Sequence, residues 1–575
     1  MKIKYYLAIL IIVVQQMPSI VFAQGLIIPA GSYLLAGSGN IILGNNWVNN
    51  GNFSCNSGTV IFAGGTQAIR GTAATIFNNV TIASGSTTTI DSPGQSVKSV
   101  LLCNGTLNAG GHLSLLSTHT QTALIDGTGS GNVLGNVTMQ RYLDSSFGYR
   151  LICSPFEYAT VSQVGSFISL TDSFPHFYKY VQNVNHTGWE TDTLRTDTLK
   201  PMAGYGANFG TLHTSSTFSL HGVVNNGTMS AALYNHNQTF TLGFNLVGNP
   251  YPEPIDWTAS SGWTKTNIDN AIYYYNTSDT DQFNGTYSSY IAGVSSDGRA
   301  SNIIPAMQGY FVHVSAGSYP VAGTLSSNNS VRVNNLSPLY HKASGAEVPL
   351  LRLKSGIGAG KTDPVVVYMS SKAKEGFDDQ LDALKMLNTD NNVPNLYAMT
   401  GDAKKLSIYA LPWAEDTLSV VPLGLNIAHG GQVIFDGSDM EHMPGGMQIY
   451  LSDIETGVNQ ELTINPRYSV RLNAGKYEGR FFLSYRPAGK GGDIQSGDIW
   501  NAYSSGAMVY INLYLLSGGY GDVVISNIAG QVMFRQELSG FGMHEISTPW
   551  LTGVYIVSFV SKGKTHSKKV FISNY

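Results

Sequence analysis

Short apolar stretches alternate with polar residues through the first quarter of the chain, and glycine or asparagine separates them. Alternation with a period of two is typical of β-strands with one buried face. The stretches recur about every 20 residues, which predicts stacked coils of a β-solenoid or β-helix over residues 24–145. An ordinary antiparallel sandwich is the alternative. The stretches are Ser32–Leu35, Ile41–Leu43, Thr59–Phe62, Phe77–Ile82, Val100–Leu102, His112–Leu116 and Val137–Met139.

The middle of the chain carries two further sets of strand patterns. Residues 146–340 combine aromatic strand-like runs with turns rich in proline and glycine, which predicts an antiparallel β-sandwich. Residues 341–490 are more charged and predict a second β-sandwich. One short helix is expected near Asp378–Met386, because its leucines fall on one side at helical spacing.

Glycines at positions 489, 491 and 492 begin a flexible linker over residues 491–500. Residues 501–575 then contain six or seven alternating strand patterns, which is the size of a small immunoglobulin-like sandwich. The whole chain is therefore predicted to be all-β, with an N-terminal solenoid-like region, two sandwiches and a C-terminal immunoglobulin-like sandwich.

The N-terminus has the pattern of a secretory signal peptide over residues 1–23. Lys2 and Lys4 precede the apolar run Tyr5–Val14, and cleavage is expected between Ala23 and Gln24. Ten apolar residues are too few to cross a hydrocarbon core of about 30 Å, and no other stretch is long enough to do so. We therefore expect an extracellular or outer-surface location after export to the periplasm, with no membrane span.

Composition excludes several classes of protein. The chain has 575 residues, only 12% of them charged, and a formal charge of −4. A nucleic-acid binder needs a basic surface, which this balance does not provide. Cys55, Cys103 and Cys153 are too few and too widely spaced for a disulfide scaffold or a metal motif. Buried thiols are expected, and a single bridge is the alternative.

Catalytic motifs are missing from the sequence. It has no H-E-x-x-H, paired-cysteine zinc motif or G-x-S-x-G elbow, and the solenoid region holds few carboxylates for acid–base chemistry. We predict a protein that is not an enzyme and needs no cofactor. The nearest approach to a metal site is Asp279 with Asp281, a weak Ca²⁺ candidate whose spacing does not match an EF-hand loop.

Aromatic residues are concentrated in residues 146–340, and two interpretations are open. Alternating aromatics are typical of a sandwich core, whereas exposed aromatic faces can stack on sugar rings. The second interpretation would make a cell-surface glycan or lipopolysaccharide a partner. The residues concerned are Trp189, Tyr205, Tyr251, Trp257, Trp263, Tyr273, Tyr275 and Tyr310.

Residues 501–575 resemble the C-terminal sorting domain, of type A-like pattern, of Bacteroidetes proteins exported by the type IX secretion system. The residues that carry the resemblance are Gly530, Gln531, Val532, Leu551, Gly553, Val554, Tyr555, Val557, Lys569 and Val570. One departure is that Ala502–Gly506 stands where the family often has Pro-Asn-Pro. The resemblance implies passage through the outer membrane by the type IX secretion machinery.

The rest of the chain is similar to large surface proteins that carry this tail, in segments such as Asn46–Phe53, Gly243–Pro252 and Gly376–Lys385. This resemblance implies display on the cell or release from it, but no reaction. We therefore expect a secreted, non-enzymatic protein with a structural or adhesive role. The alternatives are an extracellular carbohydrate-binding protein and a polysaccharide-degrading enzyme with an active site that no sequence motif reveals.

Overall fold

The computed structural model describes residues 12–13, 21–172, 174, 176–337, 348–374, 376–400, 402, 404–412, 419–453, 455–486, 500–514, 520–539, 541–561 and 564–573. The predicted signal peptide (residues 1–23) and linker (491–500) lie mostly outside these residues. The chain is all-β, with 55% of residues in strands and 1% in helix, so the predicted fold class is confirmed. It divides into two units. The first holds residues 1–268, 277–283 and 302–340, and the second holds residues 269–276, 284–301 and 341–575.

The first unit begins with a β-solenoid in which successive coils add strands to three parallel sheets. The first sheet contains Val21–Ala23, Ile41–Leu43, Thr59–Phe62, Asn79–Ile82, Val100–Cys103 and Leu124–Ile125. The second contains Leu26–Ile28, Trp47–Asn49, Thr66–Arg70, Thr87–Ile90, Thr106–Asn108 and Asn132–Leu134. The third contains Thr75–Phe77, Gln95–Val97, Leu113–Leu115 and Asn136–Leu143. Three further strands of the early coils pair in a separate sheet: Ile12–Val13, Tyr33–Ala36 and Asn52–Cys55.

The coils stack in register, so that equivalent side chains lie above one another. Val80 pairs with Val60 on one side and with Leu101 on the other. These partners and the neighbouring Ile82 point into one continuous core that runs along the solenoid. Each such aliphatic side chain contributes about 1.5–3 kcal/mol when it is fully buried. The solenoid prediction is confirmed, and the antiparallel alternative for this region is wrong.

An antiparallel strand covers the last coil of the solenoid. Ser216–Val224 pairs along the whole of Asn136–Leu143 and also pairs with Phe156–Glu157. An uncovered sheet edge would expose a row of unpaired backbone groups, which favours aggregation. The third solenoid sheet therefore continues into the rest of the first unit without a free edge at this point.

The remainder of the first unit consists of short antiparallel sheets. One contains Tyr149–Ile152, Tyr205–Asn208, Phe177–Tyr180 and Trp189–Thr191, and another contains Met229–Asn235, Val321–Ser327 and Trp263–Thr266. Two strand pairs complete it: Phe244–Gly248 with Gly309–Val314, and Ile255–Asp256 with Ile303–Ile304. Its helical residues are the α-helix Val161–Val164 and the 3₁₀ turn Asn329–Val331. No helix in the described part of the chain is long and apolar enough to cross a bilayer.

The second unit is built around a sheet of eleven strands. In spatial order its main path is Val458–Glu461, Gln448–Asp453, Gly475–Arg486, Ser419–Ile427, Asn395–Met399, Lys405–Pro412, Thr362–Ser370, Leu350–Ile357, Gly431–Glu441 and Arg467–Leu472. Ala383–Leu384 pairs with Lys405–Pro412 off this path. Other strands of this unit are Gly285–Ile291 and Val294–Ser295, which pair with each other, and most of Ile268–Thr277.

The helix predicted near Asp378–Met386 is wrong. Two backbone N–H groups, those of Leu381 and Asp382, donate to the carbonyl of Asp378 and form a turn, and Ala383–Leu384 then joins the sheet. The buried carboxylate of Asp382 accepts the N–H of Ala410 at 2.7 Å and that of Asp378 at 2.8 Å. Tertiary pairing therefore overrides the helical spacing of the leucines, one of which, Leu387, is exposed.

Residues 500–573 form two antiparallel sheets that share one hydrophobic core. The first sheet contains Trp500–Ser505, Met508–Tyr514 and Phe541–Ser547. The second contains Val532–Ser539, Tyr520–Asn527, Gly553–Ser561 and Lys564–Ile572. This segment is a seven-stranded β-sandwich, in agreement with the sequence prediction.

Glycine is required where one coil of the solenoid passes close to the next. A Cβ atom added at Gly64 would lie 2.2 Å from the carbonyl oxygen of Gly44, whereas one added at Gly65 would meet no atom within 4 Å. Gly64→Ala should therefore lower the free energy of unfolding by at least about 1–3 kcal/mol, because the coils must separate. Gly65→Ala is the matched control and should leave it nearly unchanged. Chemical denaturation measures both values, and equal effects of the two substitutions would contradict the stacking geometry.

Burial, with a smaller contribution from the nearby carboxylates of Asp378 and Asp402, raises the pKa of Asp382 to about 7, although the hydrogen bonds from the Ala410 and Asp378 N–H groups lower it. An aspartate of the unfolded chain ionises near its usual value of 3.8, so between about pH 4 and pH 7 the folded state binds more protons. The contribution of Asp382 to the free energy of unfolding is complete below this range and is lost as the pH rises through it. The difference between wild type and Asp382→Asn should therefore decline from pH 4 to pH 7 in denaturation experiments. A constant or rising difference would contradict this assignment.

Candidate functional surface and polar cleft

The residues of the C-terminal sandwich that resemble a sorting motif separate into core and surface positions. Tyr555, Val557 and Val570 are buried between the two sheets, and the Tyr555 hydroxyl donates to the carbonyl of Leu551 at 2.8 Å. Gly530 occupies the turn between two strands with a φ of +81°, which glycine adopts without strain. These four residues shape the sandwich.

Other motif residues point away from the core. Val532, Leu551 and Val554 are exposed, Leu551 to 86%. Gln531 and Lys569 are exposed beside them, whereas Gly553 is half-buried at the start of its strand. The motif therefore supplies apolar side chains to the surface as well as to the core.

Val532, Val554 and Phe571 are exposed on strands at one end of the four-stranded sheet, while Ile528 follows one of its strands and Leu551 precedes another. Val554 is directly opposite Phe571 on the neighbouring strand. Val532 pairs with Ser526 on the neighbouring strand. The same row of paired residues continues across the sheet through Ile556 to Lys569. We call this set the outer patch: Ile528, Val532, Leu551, Val554 and Phe571. A group of exposed apolar side chains is typical of an interaction site.

Of the two edges of this sheet, Val532–Ser539 has the freer backbone. Among the strands that the structure describes, it pairs only with Tyr520–Asn527. The exposed residues Arg535, Gln536 and Glu537 follow its apolar start. Charged residues on an edge strand discourage unwanted pairing between chains. At the other edge, Ser504 Oγ donates to the carbonyl of Phe571 at 2.5 Å.

The remaining sequence candidates do not form sites of their own. Ala23 ends a strand that pairs with Ile41–Leu43, and Gln24 is exposed. The Asp281 carboxylate accepts the N–H of Phe283 at 2.9 Å, and Asp279 is exposed. Among the described residues, no group of three or more His, Cys, Asp or Glu side chains could hold a metal ion.

The cysteines and most of the aromatic residues belong to the interior. Cys55, Cys103 and Cys153 are free and buried, which confirms the thiol prediction, and burial raises the pKa of Cys153 to about 12. The core interpretation of the aromatics is confirmed for five of them: Tyr205, Tyr251, Trp257, Tyr273 and Tyr310. Trp189, Trp263 and Tyr275 are half-buried.

The first unit contains a cleft of about 190 Å³ beside the last coils of the solenoid. Asp126, Asn132 and Leu134 line it from the solenoid, and Asn225 and Arg332 line it from later segments. Asp126 follows the last strand of the first solenoid sheet, and Asn225 follows the strand that covers the last coil. The topology thus brings polar residues from four separate segments to one place.

A buried ion pair holds this region together. The Nε of Arg332 lies 2.8 Å from the Oε2 of Glu253, and both side chains are at most 3% exposed. The same carboxylate oxygen accepts the N–H of Gly127 at 2.7 Å. A Cβ atom at Gly127 would come within 2.6 Å of Arg332 Nε, so glycine makes room for the guanidinium.

Burial and the positive charge of Arg332 shift the pKa of Glu253 in opposite directions. Burial raises the pKa of its carboxyl group to about 7, although Arg332 and the Gly127 N–H both favour the ionised form. The like charge of Asp126 nearby also contributes to this raised pKa. The Glu253 carboxylate is therefore held in place mainly by Arg332 and the Gly127 N–H. Removal of either partner should lower the free energy of unfolding.

Sequence reasoning missed this cleft. Asp126, Asn225, Glu253 and Arg332 are far apart along the chain and form no short motif. The one available signal was the presence of isolated charges, Glu253 among them, in segments that are otherwise apolar or rich in turns. A charge in such a setting needs a partner.

The fold defines an all-β protein that joins a β-solenoid to antiparallel sheets and sandwiches. A family model described as "Domain of unknown function (DUF8693)" matches residues 39–485. The chain belongs to this family. No curated protein matches it.

Two solved structures have weak similarity to the chain. One is titled "Biofilm associated protein - BSP domain", with 10% sequence identity, a TM-score of 0.17, and coverage of 76% of this chain and 92% of that one. The other is a β-glucuronidase from Ruminococcus gnavus in complex with uronic isofagomine, with 9% identity, a TM-score of 0.11, and coverage of 76% and 44%. TM-scores this low carry no argument about fold or function.

Loss of the Arg332 guanidinium should leave the Glu253 carboxylate buried without its ionic partner. Arg332→Met should lower the free energy of unfolding by about 3–5 kcal/mol, the usual cost of a broken buried pair. The matched control is Arg70→Met, because Arg70 pairs with Asp91 at 3.2 Å on the surface and an exposed pair contributes about 0–1 kcal/mol. Denaturant unfolding of both variants measures the difference. Similar losses would show that the buried pair has no special structural role.

Proposed function

We propose that this chain is a secreted, surface-displayed protein with a structural or adhesive role, exported by a type IX secretion system through residues 501–575. In this proposal, residues 1–23 direct the chain to the periplasm and cleavage occurs between Ala23 and Gln24. The C-terminal sandwich then engages the secretion machinery. One observation carries the proposal: residues that resemble the sorting motif also contribute to the outer patch.

The geometry of the outer patch supports a docking role for this sandwich. Leu551 and Val554 have exposed apolar side chains. Val554 lies on a sheet whose inner face is packed against the core, and Leu551 lies two residues before the start of the same strand. Exposed apolar side chains gain free energy when a partner covers them. The proposal assigns that partner to the secretion machinery.

The solenoid supports a structural or adhesive role rather than catalysis. Its exposed ion pair between Arg70 and Asp91 uses two of its few charged side chains. Solenoids expose long, regular surfaces that are suited to binding extended partners. We therefore assign the N-terminal region to contact with other surface components and not to a reaction.

The outer patch can be tested in the full chain with substitutions that leave the core intact. Leu551→Ser combined with Val554→Ser should reduce the cell-surface fraction at least about tenfold, because two apolar contacts of about 1.5–3 kcal/mol each are weakened. The protein should accumulate in the periplasm. Protease accessibility on intact cells, compared with fractionated cells, measures both pools.

The matched control is Ile464→Ser, which removes an apolar side chain that is 78% exposed in the turn between two strands of the large sheet. This variant should reach the surface as the wild type does. Circular dichroism and thermal unfolding of the purified proteins establish that all variants are folded. If the folded double variant reaches the surface normally, the outer patch is not the export determinant.

A further inference from the structure

The first coil of the solenoid has an apolar end that the core does not fully close. Each strand of this coil belongs to a different sheet. The strands are Leu26–Ile28, Tyr33–Ala36 and Ile41–Leu43. Leu26, Leu34 and Ile41, one on each strand, pack against the solenoid core but are only partly buried, whereas Trp47 and Val60 of the following coils are at most 2% exposed. We call these three residues and their strand edges the end face.

Two short segments cover the end face in the complete chain. Val21–Ala23 pairs in parallel with Ile41–Leu43, and Ile12–Val13 pairs in parallel with Tyr33–Ala36. Both covering segments lie within residues 1–23, which the proposed function assigns to the signal peptide. Cleavage after Ala23 would therefore remove both of them and leave two rows of backbone N–H and C=O groups without partners.

The third strand and the surface around it carry no charged protection. Among the described strands, Leu26–Ile28 pairs only with Trp47–Asn49. No Asp, Glu, Lys, Arg or His occurs in residues 5–69, although charged side chains are a common protection of sheet edges and the end coils of solenoids usually have a polar outer face. Ile27 and Leu35 instead expose apolar side chains, to 67% and 51%.

A second copy of the same coil matches the end face. It offers three strand edges in the same arrangement around an apolar centre, so that backbone groups and apolar side chains are both satisfied. Two uncharged surfaces meet without repulsion. A two-fold axis perpendicular to the solenoid places the same surface on both sides of the contact. It sets one strand antiparallel to its own copy and exchanges the other two.

The opposite end of the solenoid favours a closed dimer over a filament. Ser216–Val224 pairs along the whole of Asn136–Leu143, so the third sheet has no free edge at that end. A head-to-tail contact would need one there, because heterologous contacts join two different surfaces. Only the first coil is then open to pairing, and the contact is complete with two copies.

We propose that removal of residues 1–23 uncovers the end face and that the mature chain forms a two-fold dimer through it, first coil against first coil. The proposal rests on one part of the proposed function, the cleavage between Ala23 and Gln24. It goes beyond that function by naming a second copy of the chain as the partner of the N-terminal region. A dimer makes an adhesive contact bivalent.

The test is the oligomeric state of the purified mature chain, residues 24–575, produced with this N-terminus directly. Sedimentation velocity and light scattering after size-exclusion chromatography measure the mass across a dilution series. The chain should be a dimer at about 10 µM and should dissociate on dilution with a single dissociation constant. Because the N-terminus is set by expression, a failure of export or of cleavage in the host leaves this measurement unchanged.

The matched variants each add two lysines. Ile27→Lys with Leu35→Lys places lysine on two of the three strands of the end face. Every two-fold arrangement then brings lysines of the two copies onto facing strands, where like charges destabilise pairing, and the dissociation constant should rise at least about tenfold. The control is Ile76→Lys with Leu134→Lys, since these side chains are 49% and 47% exposed outside the first coil. It should dimerise as the wild type does.

Three results would overturn the proposal. They are a wild-type mature chain that is monomeric at all concentrations, assemblies that keep growing beyond two copies, and equal dissociation constants for the two lysine variants. Circular dichroism and thermal unfolding show whether each variant is folded. If the end-face variant is not folded, Ile27→Lys alone and Ile76→Lys alone provide the same comparison with one charge each.

Discussion

Stacking of successive coils in register is the constraint on which the first unit depends. Each coil contacts mainly its neighbours, and Val80 shows the pattern by pairing with equivalent residues on both sides. The backbones approach so closely at the corners that a Cβ atom at Gly64 would overlap the preceding coil. Small corner residues and alternating apolar side chains satisfy this geometry without charges. The small number of charged residues in the solenoid is compatible with this architecture.

The same stacking creates the conditions for the polar cleft. The loop after the last strand of the first solenoid sheet carries Asp126 and Gly127, and the ion pair of Glu253 and Arg332 fixes this loop through the Gly127 N–H. Asn225 follows the strand that covers the last coil. A solenoid end that must be covered thus becomes a place where several segments meet. Such meeting points are common positions for binding sites.

Local patterns predicted the elements better than the contacts between them. The solenoid and the C-terminal sandwich follow from alternation and turn residues, which report directly on strand geometry. The helix expected near Asp378–Met386 was wrong because the Asp382 carboxylate accepts the N–H of Ala410 in the sheet as well as that of Asp378, and this contact between distant residues is not encoded in the spacing of the leucines. The cleft could not be predicted, since Asn225 and Arg332 meet only after the chain has folded. The residues that resemble a sorting motif could be read from the sequence, but their division between the core and the outer patch required the strand register.

The most direct test of the account is the location and intact mass of the protein in its native host. Wild type should be compared with a chain that lacks residues 501–575, by external protease treatment, cell fractionation and mass spectrometry. The account predicts that wild type is accessible from outside, whereas the truncated chain accumulates in the periplasm with its first unit folded. A truncated chain that still reaches the surface would contradict the account, because residues 501–575 would then be an ordinary sandwich without a role in export.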